Sequence, residues 1–301
     1  LRTREIASSD GKRLRVGNWD AVPDVDRRGF CAIFDGQTEF LEKYSEVAAE
    51  LAARGFAGAI LDWRGQGGSE RLVADPLKAH VRDFSEYDAD FSAFMDQVVH
   101  PATSAPPIAL AHSMGAHNLL RALHRNPHKF VAAVMTAPML RTATRGYSRA
   151  LVRAICSLHV HLGFANEWVW GMQERDPLRV PFEDNLVTSD RERFARVRSF
   201  LLEHPELRLS GPTWRWLDAA YRSMAGMEAP GFAEAIATPC LIFGAGRDRI
   251  VETAAIPDFA HRLPHGRYVE ISDAEHEIMM ENDSIRARFW RAFDVFTGEF
   301  C

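Results

Sequence analysis

The sequence predicts an α/β fold: a mostly parallel sheet with helices on both faces and a helical cap inserted late in the chain. Three observations lead there. Short apolar runs alternate with segments of helical period, turn residues separate them, and one long block carries helical patterns with no obvious buried strand.

The first segment, "REIASSDGKRLRVGNW" (4–19), holds two alternating runs around Asp10-Gly11, a hairpin signal. "GFCAIF" (29–34) is continuously apolar, as a strand buried on both faces must be. Phe40, Tyr44, Val47, Ala48 and Leu51 then recur at helical spacing, and Gly55 stands where a C-terminal cap belongs. "FAGAILDW" (56–63) is the next strand, and residues 84–99 have a helical pattern. "PIALAHS" (107–113), a helix over 115–125 and "FVAAVMTAP" (130–138) continue the alternation. It resumes with "PCLIFGAG" (239–246), a helix near 252–262, "RYVEIS" (267–272) and a last helix over 283–297. Between these halves lie "YSRALVRAICSLHVHL", "DRERFARVRSFLLEH" and "TWRWLDAAYRSM", all helical in pattern. The expected division is a core of 1–140 and 236–301, with a cap of 141–235.

Composition narrows the function. A length of 301 residues buries a large core, and a net charge of -5 with no Lys/Arg block excludes the footprint of a nucleic-acid binder. Cys31, Cys156, Cys240 and Cys301 are scattered with no C-x-x-C pair, which argues against a zinc site or a disulfide framework and fits the cytoplasm. The sequence opens at Leu1 rather than Met, which leaves room for a removed leader.

"AHSMGA" (111–116) carries the chemistry. A nucleophile elbow needs a strand, a sharp turn and an immediate helix, with small residues two before and two after the serine because the two backbones pass closely. Gly115 meets that need, and Ala111 adds one methyl to it. Ser113 is the candidate nucleophile, against the alternative of a helix N-cap serine. A serine needs a base, and the base an acid to orient it. Asp248 follows the strand "LIFGAG", and His276 lies in the loop after "RYVEIS". Singly, Asp248 reads equally well as the partner of Arg247 or Arg249, and His276 as a helix N-terminal residue. Together they give the order Ser, Asp, His, all at carboxyl ends of strands. The oxyanion donors are the N–H of Met114 and, from "FDGQTEF" (34–40), the N–H of Gln37. For Gln37 a plain strand-to-helix turn is an equal reading of this stretch.

With these residues placed, the sequence resembles the α/β-hydrolase superfamily, in the branch holding lysophospholipases, monoacylglycerol lipases and serine aminopeptidases. It is most similar there to bacterial lysophospholipase L2-like proteins. The resemblance rests on "GQTEFLEKY", "GFAGAILDWRGQGGSER", "HVRDFSEYDADFSAF", "AHSMGAH", "NLVTSD", "GPTWRWLDAA", "GAGRDRIV" and "AEHEIMMENDSIRARFWRAFDVF". It implies a Ser113/Asp248/His276 triad, oxyanion donors at Gln37 and Met114, no cofactor and no metal. Two positions depart from the family pattern: Asp35 replaces a His before the oxyanion-loop Gly, bringing a carboxyl near the developing oxyanion, and Ala111 replaces the elbow Gly.

Two other motifs fail on their spacing. "DWRGQGGSE" lacks the Gly-Lys-Ser/Thr ending of a phosphate loop, and "HEIMME" has Met280 where a second zinc-binding His is required. In the cap, Trp168, Trp170, Trp214, Trp216, Phe164, Phe182 and Met172 suit either an acyl-chain lid, with transient membrane-surface contact, or simple packing of helices. The expected function is hydrolysis of a carboxylic ester, with a monoacyl lipid such as a lysophospholipid or monoacylglycerol as substrate. The alternatives are a serine aminopeptidase, for which Glu167, Glu174 and Asp184 offer acidic groups, and a non-catalytic binding protein on the same fold.

Overall fold

The computed structural model describes residues 1–126, 129–144 and 146–301. In chain order the strands and helices run β1 (Arg2–Ala7), β2 (Arg13–Trp19), β3 (Gly29–Phe34), α1 (Ser45–Ala53), β4 (Phe56–Leu61), β5 (Lys78–Ala79) and α2 (Ser85–Phe94). A π turn leads to α3 (His100–Ala102), followed by β6 (Ile108–His112), α4 (Ser113–Arg125) and β7 (Ala132–Thr136). Next come α5 (Arg149–His161), α6 (Arg191–Glu203), β8 (Gly211–Pro212) and α7 (Trp214–Met227). The chain closes with β9 (Cys240–Ala245), α8 (Ala255–Arg262), β10 (Gly266–Ile271) and α9 (Asp283–Thr297).

Eight strands form one sheet in the order β1-β2-β4-β3-β6-β7-β9-β10. The β1–β2 and β2–β4 pairs are antiparallel and the rest parallel. Alternate residues of each strand enter opposite layers, as the period of two requires. Phe30, Ala32 and Phe34 of β3 face the apolar layer shared with α2, α4, α7 and α8, while Cys31 and Ile33 face α1 and α9. The chain leaves β3 for β4 on one side and later returns to β6 on the other. The crevice between the carboxyl ends of β3 and β6 is therefore the topological switch point where such sheets collect ligands.

The segment between β7 and β9 divides in two. Helix α7 belongs to the main core, with Trp214, Trp216, Ala220 and Met224 buried there, and α5 packs beside it through Cys156. Helix α6 stands apart on a small cluster of Phe40, Leu201 and Leu207. One pairing escapes a reading of apolar runs: β8, in the block expected to be purely helical, pairs in parallel with β5 through Lys78 and Gly211. Two residues are too short to leave a periodic signal.

A buried ion pair fastens the first hairpin to the fold. The Arg64 side chain is fully buried, donating through Nε to Asp90 Oδ1 at 2.8 Å and through Nη1 and Nη2 to both oxygens of Asp10, at 2.7 and 2.9 Å. Burial pushes the Asp90 carboxyl up to about 6, against the pull of Arg64. Arg64→Met is expected to lower the unfolding free energy by about 3 kcal/mol, because it strands a buried carboxylate. Adding Asp90→Leu should recover most of that loss. Urea unfolding of both variants measures it; an unchanged midpoint in the single variant would contradict the account.

Candidate active site

Strand β6 ends at His112 and α4 begins at Ser113 with no intervening residue. Ser113 takes a φ of +49°, a left-handed conformation that side-chain-bearing residues seldom adopt. Its carbonyl accepts the Met139 N–H at 3.1 Å, which ties the turn to the loop after β7. A Cβ at Gly115 would run into the carbonyl oxygens of Phe34 and Asp35, so only glycine fits there. Ala111 lies one step back in the strand, fully buried in the apolar layer, and its methyl is packed rather than excluded.

The structure brings the three residues of the expected triad together. The Ser113 hydroxyl lies 2.9 Å from His276 Nε2, and His276 Nδ1 lies 2.6 Å from Asp248 Oδ2. An ionised carboxylate only accepts, so the ring proton sits on Nδ1 and Nε2 is left to accept from the serine. The other oxygen of Asp248 takes the N–H groups of Ile250 and Val251 at 2.7 and 3.0 Å. Burial raises the Asp248 carboxyl, but the imidazole and these N–H donors prevail and hold it below its ordinary value. Burial also disfavours the imidazolium of His276; Asp248, helped by Glu277 and Glu39, outweighs it and lifts the ring above its ordinary value.

Met114 is the second residue of α4, and Gln37 lies three residues past the end of β3. The Met114 N–H belongs to the first turn of α4, where no intrahelical acceptor exists. The Gln37 backbone N–H has no acceptor among the described residues. The loop that carries it is held on three sides. Trp63 Nε1 donates to the Asp35 carbonyl at 3.0 Å, Gln66 Nε2 donates to the Gly36 carbonyl at 2.7 Å, and Gly36 N–H donates to Glu39 Oε2. A Cβ at Gly36 would stand 2.8 Å from Glu39 Oε2 and 3.0 Å from the His112 ring.

Asp35 is fully buried, and that burial, with Asp62 and Glu39 nearby, drives its carboxyl well above the ordinary range. That shift favours the neutral carboxyl over the negative charge expected there. His112 is lowered to about 3 by burial and stays neutral, its Nδ1 3.0 Å from the Thr136 hydroxyl. His117 is likewise neutral, bonded to the Met139 carbonyl and the Ser223 hydroxyl, and structural.

Sequence reasoning missed a buried trio beside the imidazole. Lys43 Nζ lies 2.7 Å from Glu39 Oε1 and 2.6 Å from Glu277 Oε1. Glu39, His112 and Glu277 each place a ligand atom within 4.8 Å of the others, a spacing a cation could use, but the Lys43 ammonium already binds both carboxylates.

A cavity of about 360 Å³ lies between α6 and this edge of the sheet. Gln37, Lys43 and Glu277 line it from the core side, which brings it up to the catalytic loops, although Ser113 is not itself in the wall. Phe194, Val197 and Leu201 of α6 supply an apolar wall with Met172, Val180 and Leu209. Of the aromatic residues and Met172 singled out in the insert, only Met172 reaches the cavity. Trp214 and Trp216 are packing residues, and Trp170 is exposed. The α6 stripe at i, i+3 and i+7 was the available signal for the wall. Glu167 and Asp184 are exposed and outside the wall, and the side chain of Glu174 lies outside the described residues.

Known proteins share sequence and fold with this chain. The family model described as serine aminopeptidase, S33, matches residues 25–283. Lysophospholipase L2 of Escherichia coli (strain K12) is 34% identical over 262 residues, covering 85% of this chain and 76% of that protein. Monoacylglycerol lipase of Mycolicibacterium smegmatis is 32% identical over 147 residues, covering 49% of this chain and 50% of that protein. Among solved structures, a soluble variant of monoglyceride lipase from Saccharomyces cerevisiae superposes with a TM-score of 0.78 at 17% identity, covering 99% of this chain and 94% of that one. A carboxyl esterase from Bacillus coagulans gives 0.73 at 14%, covering 99% of both chains.

The imidazole must be unprotonated to accept the serine proton, so kcat/KM is expected to rise with pH through a midpoint above the ordinary histidine value. Asp248→Asn removes the anion that lifts it. That variant should move the midpoint to lower pH and cut kcat by about 10⁴-fold, read from pH–rate profiles with a p-nitrophenyl ester.

Proposed function

The chain belongs to the serine aminopeptidase, S33, family of α/β-hydrolases, and on that premise we propose that it cleaves monoacyl lipid esters through an acyl-enzyme on Ser113. It is an ester hydrolase. Ser113 attacks the carbonyl as His276 takes its proton, and Asp248 holds the ring and offsets the imidazolium charge. The N–H groups of Met114 and Gln37 receive the oxyanion. His276 returns the proton to the leaving alcohol, then activates the water that frees the acyl group. The observation that carries this reading is the hydrogen-bonded line Asp248–His276–Ser113 beside an apolar cavity. The segment 141–235 serves as the cap, with α6 as the part that meets the acyl chain.

The charges of the cavity favour an ester with an anionic head group over an amine substrate. Glu277 is its one carboxylate among the described residues, and Lys43 is bonded to it, so an aminopeptidase's free amine finds no spare anion. Arg175, Arg193, Arg198 and Arg249 also line it. Arg193 is taken up by Glu46, Asp190 and Asp283. Arg198 spends one N–H on the Leu178 carbonyl and has no carboxylate in reach among the described residues, and Arg249 meets Glu275 only at 3.6 Å. These two suit the phosphodiester of a lysophospholipid, as in the relative named lysophospholipase L2. No helix among the described residues is long and apolar enough to cross a membrane. The four unpaired cysteines suit the cytoplasm.

A fluorophosphonate should label the native protein at Ser113, and Ser113→Ala should lose both labelling and ester turnover. Native-level turnover by Ser113→Ala would instead favour the non-catalytic reading, and preference for aminoacyl anilides over p-nitrophenyl esters the aminopeptidase. Arg198→Ala should raise KM about tenfold for a lysophosphatidylcholine while leaving a monoacylglycerol within about twofold, since only the former loses a charge-assisted bond. Equal losses on both substrates would remove the head-group assignment.

A further inference from the structure

The trio Glu39, Lys43 and Glu277 takes no part in the proton relay, yet it is built like working machinery. The Lys43 side chain is 8% exposed, and an ammonium at that depth persists only with close partners. The two it has belong to different catalytic loops. Glu39 turns its second oxygen to the Gly36 N–H, one peptide before the Gln37 donor, and to the Tyr44 hydroxyl at 2.6 Å. Glu277 follows His276 directly, and its own N–H donates to the Val187 carbonyl at 2.8 Å. Among the described residues no hydrogen bond joins loop 35–38 directly to loop 272–281. The ammonium is the link between them.

We propose that Lys43 is a positioning residue that clamps the oxyanion loop to the histidine loop, fixing the Gln37 N–H relative to the Ser113–His276 pair. This inference rests on the serine-hydrolase reading above. Donors stabilise an oxyanion only when already aimed at it, and a loop free to shift loses that advantage. The same ammonium balances two carboxylates that would otherwise stand beside the developing negative charge. The charged and titratable groups around the imidazole are Asp248, Glu277 and Glu39, with the neutral His112 ring tilted against it at 4.7 Å and Lys43 behind the carboxylates.

The test compares Lys43→Met, Lys43→Arg and Glu277→Gln with native protein, using a p-nitrophenyl ester and an alkylboronic acid as transition-state analogue. Folded Lys43→Met should lose kcat by about 100-fold with KM within about threefold, the pattern of a contact realised only in the transition state. Its boronate affinity should fall in parallel with kcat/KM. Lys43→Arg, which keeps the charge, should stay well above Lys43→Met in kcat. Glu277→Gln leaves Lys43 paired with Glu39 and removes an anion that favours the imidazolium, so the acid limb of kcat/KM should move down by about half a unit. A folded Lys43→Met with kcat within threefold of native, a loss confined to KM, unchanged boronate affinity, or an unmoved acid limb in Glu277→Gln would each overturn the proposal. If Lys43→Met does not fold, the other two variants decide. Native protein that resists fluorophosphonate sinks the serine-hydrolase reading, whereas labelled native protein with an undiminished Lys43→Met sinks the clamp alone.

Discussion

The close passage of α4 over the end of β3 is the constraint on which the rest of the site depends. A strand that turns into a helix within one residue forces Ser113 into left-handed backbone, a cost of about 1–3 kcal/mol that the surroundings must hold in place. β6 is pinned between β3 and β7, and the Met139 N–H grips the serine carbonyl. The helix can then start where it does only if Gly115 clears the carbonyls of Phe34 and Asp35. That clearance has a chemical result. It sets the first turn of α4 beside the loop leaving β3. On the proposed function, the oxyanion site is thus a by-product of the packing that makes the elbow.

Below that site the protein buries many charges, and the cost is contained by pairing or neutralising them. Asp62 is the clearest case. One of its oxygens accepts the Leu41 N–H at 2.9 Å, and the other accepts Arg15 Nε and the Gly68 N–H, both at 2.7 Å. The glycine-rich stretch 64–71 wraps this carboxylate, and Gly67, at φ +51°, leaves no room for a Cβ against it. Gln66 of the same stretch then donates to the Gly36 carbonyl. What looks like a phosphate loop in the sequence is a scaffold for the oxyanion loop. Asp35, with no cation bonded to it among the described residues, is instead driven toward its neutral form.

The succession of strands along the chain, and the three residues Ser113, Asp248 and His276 that the structure brings together, were legible because each leaves a local mark. A buried parallel strand is a short apolar run, an elbow is a serine with a small residue two positions on, and both partners sit just past such runs. The Lys43–Glu277 contact joins residues 234 apart, and neither end differs in sequence from a solvated charge on a helix or loop. The same holds for Arg64 and Asp90, which the fold brings together across 26 positions. Asp35 failed differently. Its identity was plain and its charge was not, because protonation state depends on burial and on Asp62 and Glu39, whose distances no sequence supplies. The aromatic residues of the insert suited either a lid or helix packing; Trp214 and Trp216 pack in the main core, and none of the six lines the cavity.

The division of the insert explains how one fold keeps a fixed catalytic centre beneath an adjustable substrate wall. Helix α7 shares the main core, with α5 joined to it through Cys156, so changing the buried apolar residues of α7 costs stability as any core change does. Helix α6 has Leu201 as its one fully buried side chain and rests on Phe40 through the Phe40–Phe200 stack. Its other attachments are polar: Arg193 and Arg196 reach Glu46, and the stretch before it bonds the histidine loop through Thr188 and Ser189. Phe194 and Val197 can therefore change in size with little effect on the sheet, while the ionic fastenings keep the wall in register with His276. Glu277 stands at the meeting point of the two, bonded through its backbone to the insert and through its side chain to Lys43. On the proposed function, selectivity falls to side chains the core does not need, and the chemistry to side chains it does not release.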